Sequence, residues 1–172
     1  MGTTPGKSEA VATFAEGCYW HTEIVFQSLE GVRDAVSGYS AGAESVNVYY
    51  DTTLLSFETL TDAFFASHDP TQLNRQGQDV GPQYRSVAFY RTPAEKAMIE
   101  SRIAAINASG KYTKLLVTEV SPFSRFSPAE DDQQEYVAHH QEEMYVKYYN
   151  IPDYLQFRQL FRGPFKDSLI VR

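Results

Sequence analysis

Hydrophobic and polar positions in the first half of the chain follow two periods, one typical of strands and one typical of helices. Short runs of strand-forming residues predict four strands, over residues 11–15, 32–36, 46–50 and 85–90. Apolar residues three and four apart predict two helices, one beginning near Trp20 and stopped by Gly31, the other beginning near Ser56 and ending before His68. The second and third strands, separated by a turn over residues 38–42, are predicted to pair.

The resulting order is strand, helix, strand, strand, helix, strand, which is the order of a ferredoxin-like split β-α-β sandwich. The sequence therefore predicts an α+β fold. Residues 92–95 form a capping box that predicts a third helix ended by Gly110, and residues 115–120 predict a further strand.

A second capping box, at residues 127–130, predicts an extra C-terminal helix that is rich in tyrosine and ends near residue 152. An irregular aromatic tail is expected after it. We expect one domain over residues 1–172, with residues 1–9 flexible.

Composition excludes several functional classes. The 172 residues carry a net charge of -7 without a basic run, so a nucleic-acid partner is not expected. Hydrophobic residues make up 42% of the chain, enough for a core, but no apolar stretch has the length of a membrane span and no signal peptide precedes the first strand. We therefore expect a soluble monomer in the cytoplasm.

The chain has one cysteine, Cys18, at the predicted junction between the first strand and the first helix. A helix N-terminus lowers a thiol pKa from about 8.5 into the range of about 3.5–7.5, which makes the thiol nucleophilic. A small buried cysteine that fills a gap is the alternative. Tyr19 and Trp20 follow it and offer aromatic faces for a methyl or thioether group, although packing alone also accounts for such rings.

The histidines give a weaker signal. His21 lies three residues beyond Cys18 and is either a base for the thiol or an exposed neutral side chain. His139, His140 and the two glutamates after them have helical spacing, but adjacent helical residues diverge by about 100° and only one pair can share an ion. No metal is assigned.

Two acids attract attention only through their surroundings. Glu44 lies just before the strand at residues 46–50, and Asp79 lies in a long aperiodic loop over residues 68–86 that also holds Tyr84. Lone acids are usually solvated at the surface, whereas loops of this length are often functional.

Residues 17–23, Gly-Cys-Tyr-Trp-His-Thr-Glu, resemble the signature Gly-Cys-Phe-Trp-x-x-Glu of the peptide methionine sulfoxide reductase A family. The resemblance covers about residues 11–136. Further family motifs follow in the same order: Gly31-Val32, Gly38-Tyr39, Ala43-Glu44, His68-Asp69-Pro70-Thr71, Arg75-Gln76-Gly77, Gln83-Tyr84-Arg85-Ser86, and Phe126 with Ala129-Glu130.

The resemblance implies reduction of methionine S-sulfoxide, free or in proteins, through a cysteine sulfenic acid. At matched positions Cys18 is the nucleophile and Glu44 is the protonated acid that gives a proton to the sulfoxide oxygen. A carboxyl group beside aromatic rings has its pKa raised by desolvation, which suits that role.

The same resemblance assigns substrate binding to four residues. Tyr19 and Trp20 hold the methyl group in an aromatic pocket. Tyr84 donates a hydrogen bond to the sulfoxide oxygen, and Asp79 supports the site.

Departures from the family pattern define the expected cycle. Without a second cysteine, an external thiol regenerates the enzyme: thioredoxin, glutaredoxin or a small thiol; no bound cofactor is expected. The loop between Gly42 and Glu44 is short and lacks a tyrosine that binds the sulfoxide oxygen in family members. Either Tyr39 or another residue takes over that hydrogen bond, or the activity is weak. His21 replaces a glycine and Gln133 replaces a histidine.

Two other functions stay open at this stage. A sulfoxide-binding or thioether-binding module would keep the pocket and turn over poorly, but it would need neither nucleophile nor acid. A cysteine hydrolase would need His21 or His68 hydrogen-bonded to Cys18 and an oxyanion hole.

Overall fold

The computed structural model describes residues 4–166, and their fold is α+β, as predicted. The strands are β1 (Glu9–Glu16), β2 (Val32–Ser40), β3 (Ala43–Asp51), β4 (Arg75–Gln76), β5 (Asp79–Val80), β6 (Ser86–Tyr90), β7 (Glu119–Pro122) and β8 (Ser127–Pro128). The helices are α1 (Tyr19–Gln27), α2 (Phe57–Ala66), α3 (Pro93–Ser109), α4 (Tyr136–His139) and α5 (Ile151–Leu160). Residues 82–84 and 131–133 form 3-10 turns, and residues 146–150 form a π-helical turn that leads into α5.

The main sheet has the strand order β7-β6-β1-β3-β2-β8. Its four central strands are antiparallel to their neighbours, and β7 adds parallel to β6. The central order is the one that a split β-α-β arrangement produces, because each helix crosses over one strand to reach the next position. Strands β4 and β5 form a separate two-stranded hairpin beside the sheet.

The core lies between the sheet and helices α1, α2 and α5. Phe14 of β1 stacks on Phe26 of α1 and Phe64 of α2, with ring centroids 5.1 and 5.0 Å apart. Tyr154 and Phe157 of α5 are fully buried as well. Helix α5 therefore belongs to the core and holds the C-terminal part of the chain against α1.

The hairpin between β2 and β3 is longer than predicted. The two strands pair as expected but continue to Ser40 and Ala43, so the turn shrinks to Ala41 and Gly42. Both turn residues have positive φ, 51° and 76°, as a two-residue turn that matches the twist of a hairpin requires. Glu44, expected before the strand, lies inside β3 opposite Tyr39.

The starts of α2 and α3 agree with the prediction because capping residues mark them, whereas the predicted end of α1 is too late. Ser56 accepts from Thr59 N at the start of α2, and Thr92 accepts from Glu95 N at the start of α3. Helix α1 ends at Gln27, before the predicted stop at Gly31. The strand predicted at residues 115–120 begins only at Glu119, and Leu115 is exposed.

The predicted C-terminal helix at residues 127–152 is wrong. Ser127 and Pro128 belong to β8, which pairs with Tyr39 and Gly38 of β2. A Cβ on Gly38 would lie 2.3 Å from the carbonyl oxygen of Ser127, so glycine is what allows this close approach. The expected irregular tail contains α5, and its last residues, 167–172, lie outside the described part.

The flexible segment expected at residues 1–9 is described only from residue 4, and Glu9 already pairs with Asp51 in β1. No helix within residues 4–166 is long and apolar enough to cross a bilayer.

Candidate active site

Cys18 is the N-cap residue of α1, as predicted, and its position depends on the glycine before it. Gly17 has φ +106°, and a Cβ there would lie 2.8 Å from Cβ of Gln76 in β4. Only glycine adopts that conformation freely and lets the hairpin approach the thiol.

The pKa of the Cys18 thiol moves in the direction opposite to the predicted one. Burial and the nearby Glu44 carboxyl raise it to about 12, although backbone N–H groups at the start of α1 act to lower it. The lowering effect of the helix N-terminus is present, but burial of the thiol outweighs it. A base that removes the thiol proton is therefore part of the chemistry this site needs.

Glu44 reaches the same helix end from β3. Its Oε1 accepts a hydrogen bond from the backbone N–H of Tyr19, with 3.1 Å between the heavy atoms. Burial raises the pKa of the Glu44 carboxyl to about 7, and Asp79 adds to the increase. A partly protonated carboxyl group thus lies beside the thiol near neutral pH, as the sequence analysis expected from desolvation.

Asp79 and Tyr84 complete the polar part of the site. Asp79 lies in β5, and Tyr84 ends the 3-10 turn that follows. Burial raises the pKa of the Tyr84 hydroxyl, and Glu44, Asp79 and Cys18 raise it further. The long loop predicted over residues 68–86 thus contains the β4–β5 hairpin, which carries Asp79, and the 3-10 turn, which carries Tyr84.

Trp20 provides an aromatic wall that the C-terminal region holds in place. Its ring stacks on Tyr136 of α4 at 3.8 Å between centroids and 4° between planes. Its Nε1 donates a hydrogen bond to Oε1 of Gln133, with 3.1 Å between the heavy atoms, so Gln133 is the acceptor for the indole N–H.

Hydrogen bonds of one glutamate and one glutamine fix the position of the segment that carries Gln133 and Tyr136. Glu23 of α1 is buried and accepts from the backbone N–H of Glu135 at 2.9 Å. Gln134 pairs with both backbone groups of Ser37 in β2, at 2.9 Å each. Through these contacts residues 129–136 are fixed across α1 and β2.

Tyr145 is a site residue that the sequence analysis missed. Its hydroxyl donates to Oδ2 of Asp79, and its ring meets Trp20 edge-on at 5.7 Å. Together with Cys18 it lines a small cavity. Tyr145 lies in a tyrosine-rich stretch that was predicted to be helix, and nothing local in the sequence indicated this role. Whether its side chain enters the site depends on how residues 134–150 fold back over α1.

Tyr39, which the sequence analysis named as one possible compensation for the short loop, lies with its hydroxyl 3.3 Å from that of Tyr19. Tyr19 is buried and Tyr39 is 43% exposed. The buried phenol thus has the partner that it requires.

His21 and His68, the two histidines considered as bases for the thiol, form hydrogen bonds with groups other than Cys18. Nε2 of His21 lies 2.8 Å from the carbonyl oxygen of Ser67. The ring nitrogens of His68 lie 2.7 Å from the carbonyl oxygen of Phe64 and 2.8 Å from Oγ of Ser86. Among the described contacts neither histidine is hydrogen-bonded to Cys18, the contact that a cysteine hydrolase would need. Within residues 4–166 no group of three or more His, Cys, Asp or Glu side chains is arranged to hold a metal ion.

Curated relatives match this chain over most of its length. A peptide methionine sulfoxide reductase MsrA 2 from Synechocystis sp. is 35% identical over 182 residues, covering 95% of this chain and 85% of the relative. An MsrA from Natronomonas pharaonis is 36% identical over 169 residues, covering 88% and 95%.

Solved structures agree. Mxr1 from Saccharomyces cerevisiae in reduced form has a TM-score of 0.75 at 27% identity, covering 81% of this chain and 90% of that one. Mxr1 in complex with Trx2 has a TM-score of 0.61 at 25% identity, covering 76% and 88%.

The family profile described as peptide methionine sulfoxide reductase matches residues 10–44 and 40–163, which include every site residue discussed above. Since that match extends over most of the chain, the chain belongs to the peptide methionine sulfoxide reductase family.

Proposed function

We propose that this oxidoreductase reduces the S epimer of methionine sulfoxide, free or in proteins, to methionine with an external thiol as the reductant. The observation that carries the proposal is the pairing of Cys18 with Glu44 at the N-terminus of α1. It puts a sulfur nucleophile next to a carboxyl group whose pKa is raised to about 7.

In the proposed reaction the sulfur of Cys18 attacks the sulfur of the sulfoxide, while Glu44 gives its proton to the sulfoxide oxygen. The bond formed between the two sulfurs then breaks as methionine leaves. The protonated oxygen moves from the substrate sulfur to the sulfur of Cys18, so that the S–O bond of the sulfoxide is replaced by the S–O bond of a cysteine sulfenic acid. Two electrons pass from the cysteine sulfur to the substrate sulfur. Protonation by Glu44 is required because an unprotonated oxygen is a poor leaving group.

Substrate orientation is assigned to the aromatic and polar walls. Trp20 and Tyr19 hold the methyl group, a role supported by the clamp that fixes the Trp20 ring. Tyr84 donates a hydrogen bond to the sulfoxide oxygen. Asp79 supports the site by accepting a hydrogen bond from the Tyr145 hydroxyl.

Regeneration uses a thiol from outside the chain, because Cys18 is the only cysteine. An external thiol attacks the sulfenic acid, water leaves and a mixed disulfide forms. A second thiol then releases Cys18. A thioredoxin-type protein is the proposed reductant, supported by the complex of the related Mxr1 with Trx2, and the reaction is placed in the cytoplasm, where thiols stay reduced.

The proposal is tested with separated S and R epimers of an N-blocked methionine sulfoxide and dithiothreitol. We expect turnover of the S epimer alone, and its complete loss in Cys18→Ser. Turnover of neither epimer by folded protein with a reactive thiol would contradict the proposal and favour the binding module.

The acid role has its own test. Glu44→Gln should slow single-turnover reduction by on the order of 10²-fold, since the amide cannot supply the proton. The variant should still react with iodoacetamide at Cys18, which separates loss of the acid from loss of the thiol. A single-turnover rate equal to that of the unmodified protein would remove Glu44 from this role.

A further inference from the structure

One small cavity behind the thiol collects buried polar atoms that have no hydrogen-bond partner among residues 4–166. The atoms are Oε1 of Glu16, Nδ1 of His21 and Oδ1 of Asn150. Their residues are only 1%, 8% and 2% exposed, and all three line a cavity of about 50 Å³ whose wall includes Cys18. A buried polar group left without a partner loses the hydrogen bonds that water gave it, so this cluster of three calls for a ligand.

The hydrogen-bond chemistry defines what that ligand must offer. Nε2 of His21 lies against the carbonyl oxygen of Ser67, which only accepts, so Nε2 carries a proton and Nδ1 of the neutral ring keeps a lone pair. Glu16 uses Oε2 for Ser67 and His68, at 2.6 and 3.0 Å, which leaves Oε1 free to accept. The three atoms are therefore all acceptors.

Water is the donor that fits. A water molecule needs about 10–15 Å³ of such space and several polar partners, so a cavity of about 50 Å³ has room for water. Because the three unpartnered atoms are all acceptors, the cavity also favours a proton that enters it.

The thiol has such a proton to lose. In the proposed function Glu44 holds the proton meant for the sulfoxide oxygen, so the proton of Cys18 goes elsewhere. His21 follows Cys18 by one helical turn, and both residues border the same cavity.

Carboxyl groups from three elements surround the cavity that His21 borders. Glu16 of β1, Asp79 of β5 and Asp153 of α5 line the cavity, and His68 pairs with Glu16. Burial raises the pKa of the Asp153 carboxyl while His21 lowers it, which shows that the two groups interact.

We propose that this cavity binds ordered water and that the water passes the thiol proton of Cys18 to Nδ1 of His21 as the sulfur attacks. The S–H bond breaks, its electron pair stays on sulfur for the attack, and the proton ends on the imidazole. After methionine leaves, Glu44 is a carboxylate and His21 is a cation, and exchange with solvent restores both. The proposal rests on the proposed function for its purpose, but its geometry and its test need no sulfoxide.

The test follows alkylation of Cys18 by iodoacetamide against pH, without substrate. His21→Phe should slow alkylation near neutral pH by about tenfold and move its profile to higher pH, because the ring keeps its bulk but accepts no proton. Asn150→Leu should move the profile in the same direction by less. His139→Phe, at an exposed position, is the matched control and should follow the unmodified protein.

A crystal structure of the reduced, unmodified protein provides the second measurement and depends on no variant. We expect water within hydrogen-bond distance of Glu16, His21 and Asn150. An empty cavity, or profiles of His21→Phe and His139→Phe that coincide, would overturn the proposal. An alkylation shift in a protein that reduces neither epimer would support this cavity while removing the proposed function.

Discussion

The buried Glu23 makes the stability of the protein depend on pH in a defined direction. Burial raises the pKa of its carboxyl to about 8 from an ordinary 4.5, although the N–H of Glu135 and the hydroxyl of Ser37 act to lower it. Between these two pH values the folded protein keeps a proton that the unfolded chain has released. The stability that this proton confers is fully present below the pKa of Glu23 in the unfolded chain. It is lost as pH rises through the pKa of Glu23 in the folded protein, and between the two pKa values the free energy of unfolding falls by about 1.4 kcal/mol per pH unit.

Glu23→Gln isolates this contribution, because the amide still accepts from the N–H of Glu135 but does not ionise. From about pH 5.5 to about pH 7.5 the unmodified protein should lose about 2–3 kcal/mol relative to the variant. Chemical unfolding at both pH values, followed by the fluorescence of Trp20, measures the difference. Glu100→Gln, on the exposed face of α3, is the matched control. A constant difference between Glu23→Gln and the unmodified protein across this range would refute the reasoning.

Two further substitutions test other contacts. Tyr145→Phe removes the hydrogen bond to Asp79 and should lower kcat/KM by on the order of tenfold, whereas Tyr148→Phe at an exposed position should leave it unchanged; equal values for the two would remove Tyr145 from the site. Gly38→Ala brings a Cβ to 2.3 Å from the carbonyl oxygen of Ser127 and should lower the free energy of unfolding by about 1–3 kcal/mol, as measured by denaturant unfolding; unchanged stability would mean that β8 moves away without loss.

The fold was predictable from sequence where local signals and burial agree. Caps at Ser56 and Thr92, and the alternation in β3, locate their elements because each depends on neighbouring residues only. The capping box at residues 127–130 failed for the opposite reason. Its serine pairs with β2 instead of starting a helix, and a short pattern contains no information on that distant strand.

The site shows the same division. Cys18 and Glu44 were predicted from motifs, and the raised pKa of the Glu44 carboxyl follows from its burial. The pKa of the thiol is raised first by burial and then by the approach of Glu44, which is distant in sequence, and Tyr145 enters the site only because residues 134–150 fold back over α1. Both are consequences of tertiary packing.

The folding of residues 134–150 back over α1 has a consequence for biosynthesis. Trp20 and Cys18 leave the ribosome early, while Tyr136 and Tyr145, which cover them, follow more than a hundred residues later. At about 5–20 residues per second, translation separates the two parts by roughly 6–25 s. During that interval the nascent chain carries a thiol without its aromatic cover, and the site assembles only when the last third of the polypeptide has emerged.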